Sequence, residues 1–227
     1  MSNWLKKLNS ENKKVNIILF GPPGAGKGTQ AQFIVKKHNY FQLSTGNLLR
    51  DEVKLKTPLG FEIEKLISDG KFVSDETVNQ LLRQSITNLK FRDRIIFDGY
   101  PRNIMQVKNL EKILSEFSQI IGHIIFLNVS KEIIEKRIMG RVTCEKCHMT
   151  LNEFFDKKQI NLHPCGMEFL MKRKDDSLDV VMARYDTYMS STKPVLDFYA
   201  KNANFTEIDG AADIDEITTK ISAVLEV

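Results

Sequence analysis

The ten residues GPPGAGKGTQ, Gly21 to Gln30, gather four glycines, two prolines and one lysine directly after the apolar run VNIILF. They fit the spacing G-x-x-x-x-G-K through Lys27, which is a phosphate-cradling pattern. Glycine has no Cβ, so backbone N–H groups at Gly24, Ala25, Gly26 and Gly28 can converge on phosphate oxygens. A helix beginning in this loop would add the partial positive charge of its N-terminus. Lys27 would reach the terminal phosphates as a mobile point charge. A nucleoside triphosphate is therefore the expected occupant. Position 28 holds Gly where the common pattern has Ser or Thr, and Thr29 follows one place later. That shift weakens the case for a direct protein hydroxyl on Mg2+. It leaves Asp98, at the end of the apolar run RIIFD, as the carboxylate for a hydrated metal.

These groups need a scaffold. Val15–Phe20 reads as a buried strand and Gly26 to His38 as a helix, so the loop joins the two. Ser44 or Thr45 caps a helix over TGNLLRDEVK, and a break at Thr57–Gly60 precedes a helix over Phe61–Ser68. Val78–Lys90 reads as a helix led by Asp75 and Glu76, whose charges suit a helix N-terminus. Further strands are expected over Arg94–Arg102, His123–Ser130 and FTEIDG. Helices are expected over Lys131–Gly140, from Asp176 to about Lys201, and over Asp213–Leu225. Between Val142 and Lys172 the character changes, with all three cysteines and no long helical pattern, as for a small inserted module. Alternation of strands and helices implies an α/β fold with a parallel sheet covered on both faces. Ligands in such sheets bind beyond the carboxyl ends of the strands, where Gly21, Gly99 and the turn after Val129 fall.

Composition narrows the functional classes. The chain of 227 residues is 42% apolar, enough for one compact domain with its own core. A net charge of +4 suits an anionic ligand, but without a dense Lys/Arg tract it does not suggest nucleic acid. No apolar stretch approaches the roughly 20 residues of a membrane span. The opening MSNWLKKLNSENKK has no apolar signal region, so residues 1–14 read as an N-terminal extension. A cytoplasmic location is expected, with a mitochondrial or other organelle matrix as the alternative. Three cysteines, with Cys144 and Cys147 in a C-x-x-C, suit metal ligation in a reducing compartment better than a disulfide framework.

GPPGAGKGT, LSTGNLLR, GKFVSDE, DGYPRN, KRIMGR, and RKDD followed by ARY occur in order and together closely resemble the adenylate kinases of the long-lid type. The resemblance runs from about Val15 to the end of the chain. It implies a P-loop NTPase-like core over 15–227, a helical nucleoside-monophosphate flap at 44–73 and a lid insertion at 137–174. It also implies the reaction ATP + AMP ⇌ 2 ADP with Mg2+ in a monomer. Carried over residue by residue, Thr45 and Arg50 resemble the family's AMP-binding pair, and Lys71, Phe72 and Val73 the segment beside the adenine of AMP. Gly99 and Arg102 belong to the loop that meets the AMP phosphate, and Gln106 matches the amide that reads the adenine edge. Arg137 matches the arginine over the ATP base and Arg141 the one on its phosphates. Spaced four apart, these two are expected on one helix face. Arg173 and Arg184 match arginines that close on the transferred group, and Ala212 lies in the segment beside the donor base. Asp175 and Asp176 are expected to hold arginines or hinge the lid. Asn47 and Tyr100 stand where the family usually has Asp and Phe.

Cys144-x-x-Cys147 also resembles the first half of the zinc knuckles in some lids of this family. A structural Zn2+ on Cys144, Cys147, Cys165 and His163 is expected, with Glu168 as the rival fourth ligand and His148 as a further candidate. Two enzyme alternatives remain: a GTP:AMP phosphotransferase, or a kinase accepting UMP or CMP. A zinc-ribbon binding module is a distant third. A GTPase switch is disfavoured because NVSKE stands where a guanine-reading N-K-x-D would follow the third strand.

Overall fold

A computed structural model describes residues 15–69, 71–88, 93–172 and 177–226. The extension 1–14, Arg173, Asp175 and Asp176 lie outside the described residues. Strand β1 (Asn16–Phe20) is buried along its whole length, as a strand covered on both faces must be. After the glycine loop comes α1 (Lys27–His38), which ends on Asn39 in the left-handed region, with Lys36 and Lys37 complementing the helix dipole in the last turn. Then follow β2 (Phe41–Ser44), α2 (Thr45–Lys54), α3 (Pro58–Ser68), α4 (Asp75–Asn88), β3 (Ile95–Asp98) and α5 (Ile104–Glu116). The chain continues through β4 (Ile121–Asn128), α6 (Lys131–Met139), β5 (Arg141–Cys144), β6 (Thr150–Asn152), α7 (Lys157–Asn161) and β7 (Leu170–Met171). Last come α8 (Leu178–Thr187), a π-helical turn (Tyr188–Thr192), α9 (Lys193–Tyr199), β8 (Phe205–Asp209) and α10 (Ile214–Leu225).

The main sheet is five-stranded and wholly parallel, in the order β2-β3-β1-β4-β8. Alternate residues of β1 point to opposite faces. Ile18 and Phe20 join one core cluster with Leu82, Leu110 and Tyr199, while Ile17 and Leu19 join another with Ile34, Ile134 and Ile221. The two central strands β3 and β1 end side by side, with Asp98 opposite Leu19. That register sets the carboxylate next to the start of the glycine loop. The inserted module is a separate antiparallel sheet in the order β6-β5-β7.

Several elements depart from the sequence reading for local reasons. The helix expected from Phe61 begins at Pro58, because Thr57 accepts the Gly60 N–H at 2.9 Å and proline is welcome in a first turn. The segment expected as one long helix to Lys201 is interrupted by the π turn over Tyr188–Thr192, just ahead of Pro194. The Ile104–Glu116 helix was not anticipated, although Asn103 caps it by accepting the Gln106 N–H at 2.8 Å. Arg137 and Arg141 do not share a helix face. Helix α6 stops at Met139, Gly140 ends it, and Arg141 opens β5 opposite Asn152.

One buried polar side chain ties the central strands together at the opposite end from the site. Asn16 donates to Gln119 Oε1 at 3.0 Å and accepts the Ile95 N–H at 2.9 Å. Removing it strands two buried groups, each costing about 1–3 kcal/mol. Asn16→Ala is therefore expected to lower unfolding free energy by roughly 2–4 kcal/mol, read as a fall in urea midpoint, with little effect on catalytic constants.

Candidate active site

The loop after β1 is shaped by what its glycines permit. Gly24 has φ 79°, and a Cβ there would meet the Ile138 and Ile134 side chains at 3.0 to 3.3 Å. Gly26 has φ 93° and Gly28 is helical, and a Cβ on either would meet nothing within 4 Å. The first glycine thus allows helix α6 to press on the loop, and the latter two border open space of the kind a phosphate chain fills. Thr29 follows in the first turn of α1.

Lys27 folds back over this loop and donates to the Gly21 carbonyl at 2.7 Å and the Pro22 carbonyl at 3.0 Å. Burial pulls its ammonium down to about 8. The Asp98 carboxylate opposes that shift, and the positive charges of Arg102, Arg184 and Arg141 add to it. Four cationic side chains from four separate parts of the chain thus face one another across the strand ends. Arg102 is likewise pulled below its usual range by burial, with Asp98 again opposing. Its Nε donates to the Gly99 carbonyl at 2.7 Å and its guanidinium lies 4.8 Å from the centre of the Phe72 ring. Asp98 itself accepts from Gln42 Nε2 at 2.9 Å through one oxygen.

The cleft among these groups is lined by Gly21, Lys27, Phe72, Gly99, Arg102 and Arg184, with Tyr188 and Thr192 closing one side. Gly99, at φ 77°, is held between Thr45, whose hydroxyl donates to its carbonyl at 3.0 Å, and Arg102. A Cβ at Gly99 would stand 3.1 Å from both side chains, so the approach requires glycine. Thr192 donates to the Arg102 carbonyl at 3.1 Å, anchoring the π turn to the same loop. Arg137 reaches the Ala25 carbonyl at 3.5 Å, and burial lowers its pKa against the opposing charge of Asp209. Ala212 packs beside the core cluster of Ile208 and Ile217.

Not every predicted residue enters this cleft. Arg50 lines a neighbouring hollow with Ser44, Asn47 and Asp51, and donates to Asn47 Oδ1 at 2.5 Å. The amide at position 47 thus keeps the acceptor that a carboxylate would supply, without its charge. Lys71 is exposed and pairs with Asp69 at 3.1 Å, while Val73 is buried. Gln106 is buried as well, bonded to the Arg102 N–H and to Asp75. The sequence reading missed Gln42, Asn103, Tyr188 and Thr192. Of these, Asn103 had a signal: Asn103-x-x-Gln106 has the spacing of a helix-capping box.

In the inserted module, Cys144, Cys147, His163 and Cys165 offer ligand atoms all within 4.8 Å of one another. Cys147 Sγ and His163 Nε2 are 3.7 Å apart, and tetrahedral ligands of zinc stand about 3.3–3.8 Å apart. His163 is buried and its Nδ1 has no partner among the described residues. Burial opposes ionisation of Cys144, yet donors from Cys147, His163 and Lys146 hold its thiol down at about 6. Cys165 is pushed up to about 11, by burial first and then by the neighbouring thiols. Neither Glu168 nor His148 belongs to the group: both are exposed, and the Glu168 carboxylate folds over Gly166 instead.

A parallel sheet with a glycine-rich phosphate loop on its central strand, arginines converging on it from the loop after β3, from α8 and from β5, and a carboxylate on the adjacent strand define a phosphotransferase of the nucleoside monophosphate kinase class. A family profile described as "Adenylate kinase" matches residues 19–204. Curated relatives agree. The chain is 78% identical over 213 residues to an adenylate kinase of Pelagibacter ubique, covering 94% of this chain and all of that protein. It is 38% identical to one of Novosphingobium aromaticivorans over 93% of this chain and 99% of the relative. With one of Mycoplasma mycoides it shares 42% over 86% of this chain and 91% of the relative. The chain belongs to the adenylate kinase family. The zinc-ribbon and other-kinase alternatives are not favoured.

The depressed Lys27 pKa has a thermodynamic signature. Below about 8 the ammonium is charged in both folded and unfolded chains, so the folded state bears the full cost of burying it. Between about 8 and its ordinary 10.5 the unfolded chain holds more protons, and stability rises with pH. Lys27→Met should therefore raise the unfolding free energy of the nucleotide-free protein at pH 7 by on the order of 1 kcal/mol after loss of the two carbonyl contacts, read as a higher urea midpoint. The gain should shrink as pH climbs from 8 to 10, and a gain independent of pH would contradict the assignment.

Proposed function

We propose that the chain catalyses reversible phosphoryl transfer from MgATP to AMP, giving two ADP. The observation that carries this reading is the convergence of Lys27, Arg102, Arg184 and Arg141 on a glycine loop beside the strand-end carboxylate Asp98. The inventory has charge to stabilise the transferred phosphoryl group, and direct in-line transfer between two nucleotides needs no enzyme-bound intermediate. An oxygen of the AMP phosphate forms the new bond to the γ-phosphorus, and the bond from that phosphorus to the β–γ bridging oxygen breaks, leaving ADP.

The donor phosphates lie on the N–H groups of Gly24, Ala25, Gly26, Gly28 and Thr29, and Lys27 swings from the loop carbonyls onto them. Arg137 and Arg141 hold the donor from the lid side, and Ala212 borders its base. Arg102 grips the acceptor phosphate, stacked in place by Phe72 and by its bond to Gly99. Thr45, Lys71, Val73 and Gln106 surround the acceptor nucleoside, and Arg50 reaches its phosphate as the flap of residues 44–73 folds in. Arg184, with Arg173, neutralises the transferred group. Asp98 fits the water shell of Mg2+, since its second oxygen takes no hydrogen bond from the described residues. The ion bound there supplies charge neutralisation along the phosphates.

The module within residues 137–174 is a lid, and its Cys144, Cys147, His163 and Cys165 suit a structural Zn2+ closed to solvent ligands. A three-stranded sheet of such short strands has too little core of its own, so ligation contributes its folding energy. Three thiols grouped in this way fit a reducing, cytoplasmic setting. No described helix is long and apolar enough to cross a membrane. The family resemblance supports a monomer.

In a coupled assay of ADP formation, Lys27→Ala and Arg102→Ala should each cut turnover by about 10²–10³-fold, while circular dichroism stays native. Near-normal turnover in either would remove the site assignment. Metal analysis should find about one zinc per chain, and chelation should lower the melting temperature more than the initial rate. Unchanged melting after demonstrated metal removal would sink the zinc reading.

A further inference from the structure

Gln106 can read adenine only if its amide is presented the right way round. Its carbonyl oxygen must face adenine's N6–H and its NH2 must face N1, which accepts. The reversed amide would suit hypoxanthine or guanine, whose N1–H donates and whose O6 accepts. Isolated glutamine has no preference, because its two ends are equal in size.

The structure breaks that symmetry. Gln106 Oε1 accepts the backbone N–H of Arg102 at 2.7 Å, and Nε2 donates to Asp75 Oδ1 at 2.6 Å. A flipped amide would set NH2 against the Arg102 N–H and oxygen against the Asp75 carboxylate, two repulsive contacts in a site where Gln106 is only 3% exposed. Asp75 is in turn fixed by Asn103, whose Nδ2 reaches its two oxygens at 3.1 and 2.9 Å, while Asn103 Oδ1 caps the helix on which Gln106 sits. Asp75 follows Val73 by two residues and stands at the start of α4. After these bonds Gln106 keeps one N–H and one lone pair, the pair of groups that adenine's N1 and N6 require.

We propose that Asp75 is a specificity-determining positioning residue, locking the Gln106 amide in the orientation that accepts AMP and rejects 6-oxopurine monophosphates. The inference rests on the proposed acceptor site. Asp75 does not touch the reacting atoms. It acts through Gln106, and the Arg102 N–H supplies the other half of the lock.

The test compares kcat/KM for AMP with that for inosine 5′-monophosphate, ATP being the donor. Asp75→Asn, whose side chain can turn a donor toward Gln106, should raise KM for AMP about tenfold and lower the AMP-to-IMP ratio by about tenfold. KM for ATP should hold within about twofold. Asp75→Glu, which keeps the carboxylate, should restore most of the discrimination. Asp75→Ser carries the same expectation as Asp75→Asn should the asparagine variant fold poorly. Gln106→Ala separates the two layers of the argument. If it lowers the AMP-to-IMP ratio while Asp75→Asn and Asp75→Ser leave the ratio unchanged, the lock is wrong and the acceptor site stands. If Gln106→Ala also leaves the ratio unchanged, the acceptor-site reading fails and the lock falls with it. A general loss in Asp75→Asn that affects both acceptors and ATP equally would mark a merely structural role and overturn the proposal.

Discussion

The cost of burying cationic side chains at the strand ends is the constraint on which the rest of this molecule depends. Lys27 opens α1, Arg102 lies in the loop after β3, Arg184 in α8 and Arg141 in β5, and each of the three arginines adds to the cost of charge on Lys27. Asp98 offsets only part of that cost. Such an arrangement is unfavourable for an empty protein and favourable for one holding two phosphate chains end to end. Folding free energy given up at the cleft reappears as differential binding of a polyanion, most of all in a transition state where charge spreads over the transferred phosphoryl group.

The rest of the fold makes that cost bearable. Parallel strands buried on both faces fix the ends of β1 and β3 side by side, so the glycine loop and Asp98 cannot drift apart. Three contacts converge on one short loop: Thr45 and Arg102 on the Gly99 carbonyl, and Thr192 on the Arg102 carbonyl. The π turn over Tyr188–Thr192 belongs to this set. A π insertion costs helix regularity and tends to persist where it re-aims side chains at a site, and here Tyr188 and Thr192 line the cleft together with Arg184. The Cys3His cluster has a plain rationale, because a small three-stranded sheet needs internal rigidity that its few buried side chains do not provide.

The sequence by itself determined whatever depends on neighbours along the chain. Apolar runs ending in glycine marked the strand ends, the spacing of Gly24, Gly26 and Lys27 marked the phosphate loop, and ordered short motifs marked the family. These are local signals: strand burial, backbone freedom at glycine and helix caps each act within a few residues. Capping chemistry at Thr57 and Asn103 was equally local and went unread, so the Pro58 start of α3 and the whole of α5 were missed. Tertiary structure alone decided the rest. It took Arg141 off the helix of Arg137 and onto a strand, chose His163 over Glu168 beside the three thiols, and set Arg50 against Asn47 in a hollow of its own. It also joined Asp75 to Gln106 across 31 residues of chain. The physical reason is the same in each case: a hydrogen bond or a ligand set is satisfied by distance in space, and no spacing along the chain records which distant groups the packing of a sheet will bring within 3 Å.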